Sequence, residues 1–133
     1  MRVAQAMHAG VVKCRPETSL RAAARTMAAH RIHSVVIANG DSWTIISDLD
    51  VVAAACAGRL EEGRAGDTAG GTPLTIRSDE TLERAAQLMH EYGESHLLVL
   101  HPHARKPIGI LSTLDLAEAL SDLDPSGADR VCY

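Results

Sequence analysis

Apolar and polar positions along this chain follow one pattern that is written twice. Leu20, Ala23, Ala24, Met27 and Ala28 recur at helical spacing, with Arg21 and Arg25 on the other face. This predicts a helix over Leu20–His30. Arg15-Pro16-Glu17-Thr18-Ser19, just ahead of it, carries turn and cap residues. Gly10–Cys14 is a short apolar run and reads as a strand. Beyond the helix, Ser34–Ala38 is rich in β-branched residues, Asn39-Gly40-Asp41 is a hairpin signal, and Ser42–Ser47 is the returning strand. Val51–Ala57 is apolar almost all the way round, which predicts a helix buried on more than one side.

The second half repeats this order. Leu74–Ile76 is the short strand, Leu82–Glu91 the helix, Leu97–Leu100 and Ile108–Leu111 the paired strands, and Leu114–Leu120 the last helix. Ile45–Asp50 (Ile-Ile-Ser-Asp-Leu-Asp) returns 65 residues later as Ile110–Asp115 (Ile-Leu-Ser-Thr-Leu-Asp). Upstream the spacing is 62: Leu20 matches Leu82, Met27 matches Met89, and Val35-Val36-Ile37 matches Leu97-Leu98-Val99. The change needs three extra residues in copy two, and the loop His101–Lys106 is where insertion is cheap. A repeat of this extent governs the reading of every local motif. It divides the chain into a first repeat over 1–60, a connector over 61–72, a second repeat over 73–123 and a flexible tail over 124–133.

Each half, near 60 residues, is marginal alone, so the two halves are expected to share a core face to face. The chain has 133 residues, 46% of them hydrophobic, with no Phe and one Trp, so the core is aliphatic and Ala-rich. A net charge of −4 without any basic run argues against nucleic acid as a partner. No apolar stretch reaches membrane-spanning length, and no secretory h-region opens the chain. Cys14, Cys56 and Cys132 are odd in number and far apart, so no disulfide framework or metal-spaced pair is expected, and a reducing cytoplasm is the expected setting.

The repeated Ser-x-x-Asp carries the candidate chemistry. A strand ending in Ser47 delivers the chain to a helix start, where free N–H groups attract a phosphate or a ribose oxygen. Asp50 offers a bidentate acceptor for two vicinal hydroxyls, and Ser112 with Asp115 repeats the arrangement. The same spacing also makes a capping box, in which Ser caps the helix and the acid answers. Both readings stand on sequence. In either, both acids are expected to be exposed and worth less than about 1 kcal/mol to the fold.

The doubled strand–Ser-x-x-Asp–helix pattern, the Pro-x-x-Ser-Leu and Asp-Glu-Thr-Leu helix starts and the paired strands resemble a tandem pair of cystathionine-β-synthase (CBS) domains, a Bateman module. The resemblance covers nearly the whole chain. It implies an α+β fold of two β-α-β-β-α repeats packed about a pseudo-two-fold axis through their sheets. It implies a non-catalytic sensor that takes an adenosyl ligand (AMP, ADP, ATP, NAD or S-adenosylmethionine) in clefts between the halves, with no obligatory cofactor. Carried over by position, one cleft would use Ser47 and Asp50 with Thr72, Leu74, Ser95 and His96. The other would use Ser112 and Asp115 with Gly10, Val12, His33 and Ser34. Three departures point to a ligand of modest charge or to one silent site. Val36 and Leu98 stand where relatives often have Pro. Thr44 replaces a Gly that copy two keeps as Gly109, which marks copy two as the better preserved motif. Leu49 and Leu114 replace a basic residue before the motif Asp.

Other readings are of a different class. His101-Pro102-His103, with His30, His33, His90 and His96 elsewhere, is the only hint of a small metal-binding protein. Cys14 and Cys56 fall in apolar runs and read as buried small hydrophobes. The apolar Val51–Ala57 helix, with the Leu20–Ala29 and Leu114–Leu120 stripes, predicts a homodimer that Ala54→Glu is expected to separate. A structural dimerisation module without ligand is the alternative to the sensor.

Overall fold

The computed structural model describes residues 1–68 and 72–122, and it opens on two elements that the apolar pattern does not mark, helix α1 (Val3–Ala6) and strand β1 (His8–Ala9). The first repeat follows as β2 (Lys13–Cys14), α2 (Leu20–His30), β3 (Ser34–Asn39), β4 (Ser42–Ser47) and α3 (Asp48–Cys56). A one-turn helix α4 (Ala65–Thr68) precedes the second repeat, β5 (Thr75–Arg77), α5 (Leu82–Tyr92), β6 (His96–Leu100), β7 (Pro107–Ser112) and α6 (Thr113–Asp122). The β-α-β-β-α order therefore occurs twice, in an α+β fold. The chain divides into two units. One is Val11–Pro73. The other joins Met1–Gly10 to the residues from Leu74 on.

In the Val11–Pro73 unit, β2 runs parallel to β3 and β3 antiparallel to β4. Gly40 makes the β3–β4 turn at φ 62, a backbone that glycine adopts without a Cβ clash. Helix α2 starts where Ser19 Oγ accepts the Ala22 N–H at 3.1 Å. It lays Leu20, Ala23 and Met27 against Val35, Ile37 and Ile46, all buried. The connector is more structured than a linker. The Leu20 N–H donates to the Gly63 carbonyl, the Ala65 N–H donates to that of Thr18, and Ala65 is fully buried in the same core.

In the other unit the sheet order is β1-β7-β6-β5. Leu82, Ala85 and Met89 of α5 pack on Leu97, Val99 and Leu111. The first ten residues pack in this unit. Val3 is fully buried in this core, the Val3 and Ala4 N–H groups donate to the carbonyls of Glu80 and Ser78, and β1 pairs with β7. The three inserted residues fall where the spacing puts them. Two residues separate β3 from β4, and the β6–β7 turn carries His101–Lys106, closed by the His101 N–H on the Lys106 carbonyl at 2.9 Å.

Helix α3 departs from expectation. Only Ala54 is buried, Val51 is half-buried, and Val52, Ala53, Ala55 and Cys56 are exposed. Its apolar composition reflects one packed face and one bare face rather than burial all round. Among the described residues no helix is long and apolar enough to cross a membrane. The tail expected over 124–133 lies outside the described residues.

Candidate functional site

Strand β4 ends on Ser47, whose extended backbone (φ −96, ψ 165) turns the chain into α3. The Asp50 N–H donates to Ser47 Oγ at 3.3 Å, and the Ser47 N–H donates to Asp50 Oδ2 at 2.8 Å. The Ser47 hydroxyl also donates to that oxygen, at 3.1 Å. Strand β7 ends the same way. The Asp115 N–H donates to Ser112 Oγ at 3.2 Å and the Ser112 N–H to Asp115 Oδ2 at 2.8 Å. Both motifs are closed capping boxes. This does not exhaust them, because a carboxylate has two oxygens and both boxes use only Oδ2.

The copies part at the other oxygen. Asp115 Oδ1 lies 3.0 Å from His8 Nδ1 on β1, and the Asp115 side chain is 2% exposed. An exposed acid was the expectation at this position, and the N-terminal strand laid along β7 is what overturns it. Gly109 also has a local reason. A Cβ there would stand 2.5 Å from the His8 carbonyl oxygen and 2.9 Å from Met7 Sδ. The glycine admits β1. Asp50, in contrast, is half-buried, and among the described residues its Oδ1 has no partner.

The remaining predicted residues gather by unit. In Val11–Pro73, Ser34 faces Ser47 across the β3–β4 ladder, and the His33 carbonyl accepts the Asp48 N–H at 2.8 Å. The His33 ring Nδ1 lies 2.8 Å from Asp48 Oδ2, with both side chains largely exposed. Val12 accepts the Val36 N–H through its carbonyl, and Thr72 is exposed. In the other unit, His96 faces Ser112, the Ser95 carbonyl accepts the Thr113 N–H at 3.0 Å, and Ser95 Oγ is 2.9 Å from His96 Nδ1. The Leu74 carbonyl accepts the Leu98 N–H, and the Gly10 N–H donates to the Ile108 carbonyl. Each strand entrance therefore sits beside the motif of its own repeat.

The model of the CBS domain family matches residues 3–55 and 71–122, once per copy. The chain belongs to the CBS domain family. Solved structures share this fold. One is hypoxic response protein I with two coordinated zinc ions (TM-score 0.72, 23% identity, covering 89% of this chain and 98% of that one). Another is the CBS domain pair of protein MJ0100 in complex with 5′-methylthioadenosine and S-adenosyl-L-methionine (TM-score 0.81, 18% identity, covering 92% and 97%). A third is CBSX2 in complex with AMP (TM-score 0.71, 24% identity, covering 91% and 96%). Among curated proteins none matches the sequence.

The electrostatics of the CBS motifs are acidic. Asp48 and Asp50 both lie in the first turn of α3, where they offset the partial positive charge of the helix start. The ion pairs of Arg21 with Glu61 and of Arg77 with Asp79 engage neither motif acid. A neutral diol suits such a helix start better than a polyphosphate does. His101 and His103 stack edge to face with ring centres 6.0 Å apart, and among the described residues no three His, Cys, Asp or Glu side chains could hold a metal ion. Burial pushes the Cys14 thiol up from its ordinary value, so it stays protonated. Cys56 is exposed rather than buried, because it lies on the bare face of α3, and Cys132 lies outside the described residues. His8 is the site residue that the pattern missed. Its signal was Val3, Ala6 and Met7, apolar at i, i+3 and i+4, which anchor the turn in front of it.

Proposed function

We propose that this CBS pair is a non-catalytic regulatory module that binds an adenosine-containing ligand through Ser47 and Asp50 and answers by a change of shape or assembly. The observation that carries the reading is the half-buried Asp50 carboxylate, fixed through Oδ2 and with Oδ1 open among the described residues. A ribose presents two adjacent hydroxyls to such a group, and charge-assisted bonds of this kind contribute about 1.5–3 kcal/mol each. Structures of the same fold that hold AMP, or 5′-methylthioadenosine and S-adenosyl-L-methionine, support the ligand class. The two acids of α3 favour an adenosyl ligand of low negative charge over ATP.

Assembly belongs to the same reading. Leu49 and Val52 are 72% and 56% exposed on α3, beside Ala53 and Cys56, and Leu114 and Leu120 are 54% and 63% exposed on α6. Apolar stripes of this kind call for a partner, and a second copy in a two-fold dimer is the simplest one. The free thiols of Cys14 and Cys56 fit a cytoplasmic setting.

A thermal-shift series with adenosine, 5′-methylthioadenosine, S-adenosylmethionine, AMP, NAD and ATP tests the ligand reading. At a hundred times Kd a ligand stabilises by about 2.7 kcal/mol, which raises the melting temperature by several degrees. The expected order places the less charged adenosyl compounds above ATP. No shift with any of them would leave the structural dimerisation module as the better reading.

A further inference from the structure

The two motif acids are alike in sequence and unlike in surroundings. Among the described residues Asp50 keeps Oδ1 open, whereas Asp115 has Oδ2 on the Ser112 N–H at 2.8 Å and Oδ1 against His8 Nδ1 at 3.0 Å. The Asp115 side chain is 2% exposed and that of His8 is 74% exposed. The acid is thus covered, while the residue that covers it stands at the surface.

The covering element is slight. Strand β1 is two residues long and meets β7 through His8 opposite Ile110 and Ala9 opposite Gly109, followed by the Gly10 N–H on the Ile108 carbonyl at 2.8 Å. Its seat needs Gly109, since any Cβ would strike the His8 carbonyl. At the spacing of 62 that relates the two copies here, the residue matching His8 is Gly70, which has no side chain to offer. At this position of the sequence the duplication therefore has a histidine in one copy and a glycine in the other.

With its side chain 2% exposed, Oδ2 on the Ser112 N–H and Oδ1 against His8, the Asp115 carboxylate presents no open face to a ribose diol. To gain one it must lose His8, and an edge pairing of two residues is the kind of element that opens at low free energy. We propose that His8 is an intramolecular latch on Asp115. It closes the second motif to ligand while the first stays open, so that one adenosyl ligand binds per chain until β1 lifts. This rests on the adenosyl reading of the Asp50 motif, and it adds a stoichiometry and a regulatory element to it.

The test uses the full chain, AMP as probe, and a readout that needs no ligand. Calorimetry should give one AMP per chain in the parent, two in His8→Ala, and one in the His8→Ala, Asp50→Ala double variant. Two AMP per chain in the parent, or one in His8→Ala, overturns the latch. Hydrogen exchange at the Gly10 amide reads the strand directly, and it should quicken at least tenfold in His8→Ala and in Asp115→Asn. Unchanged exchange in both variants overturns the latch whatever AMP does. Faster exchange with no AMP bound to any form upholds the contact and overturns the gating of ligand, together with the adenosyl reading beneath it.

Discussion

A Cβ on Gly109 would stand 2.5 Å from the carbonyl oxygen of His8. The neighbour is backbone, so it cannot turn away as a flexible side chain would. The matching position in copy one, Thr44, lies on β4, an end strand of its sheet among the described residues. Gly109→Ala should therefore destabilise the protein by about 1–3 kcal/mol, the usual range for overpacking. Urea unfolding measures the loss, and a change under about 0.5 kcal/mol would mean that β1 is not held where it lies.

The two motif acids should separate in stability. Asp115→Ala removes a buried carboxylate and strips the part-buried Ser112 N–H and His8 of their partner, and it should cost about 1–3 kcal/mol. Asp50→Ala removes a half-buried cap and should cost about 1 kcal/mol. Thermal melts of both variants check the order, and equal losses would contradict the asymmetry.

Much of the fold was legible because duplication prints each element twice. Ser42–Ser47 came out to the residue, and the three-residue insertion fell in the β6–β7 turn. The capping boxes could be read as well, since they are local and spaced i, i+3. What could not be read was long-range. Nothing near Asp115 in sequence announces His8, more than a hundred residues away, and the partner strand that buries the acid is two residues long. The apolar run of α3 was misjudged for a related reason. Composition gives the hydrophobicity of a helix, whereas neighbours decide which face is covered.

The helix ends offer a comparison within the chain. Helix α5 closes on Gly93 at φ 64, and α2 closes on Arg31 at φ 52, the one non-glycine with positive φ among the described residues. A left-handed Arg costs about 1 kcal/mol that a Gly does not, and the greater freedom of glycine in the unfolded chain offsets part of this. Arg31→Gly should raise stability by about 0.5 kcal/mol, and Gly93→Ala should lower it by about 1 kcal/mol. Paired denaturation curves decide, and a destabilised Arg31→Gly would count against the strain.

Assembly is tested on the bare face of α3. Ala54→Glu, the substitution that sequence points to, is the wrong one, because Ala54 is 8% exposed in the core with Leu20 and Ala23 and the charge would break the fold. Val52→Glu keeps that core. Light scattering should give the parent twice 14.1 kDa and Val52→Glu a single chain mass with unchanged circular dichroism. A parent at 14.1 kDa contradicts the dimer.

The central claim is that Asp50 holds an adenosyl ligand, and calorimetric titration of AMP into the parent and into folded Asp50→Ala addresses it most directly. The account predicts binding in the parent and a loss of roughly 10- to 150-fold in the variant, the equivalent of about 1.5–3 kcal/mol. Equal affinity in the two proteins would contradict it.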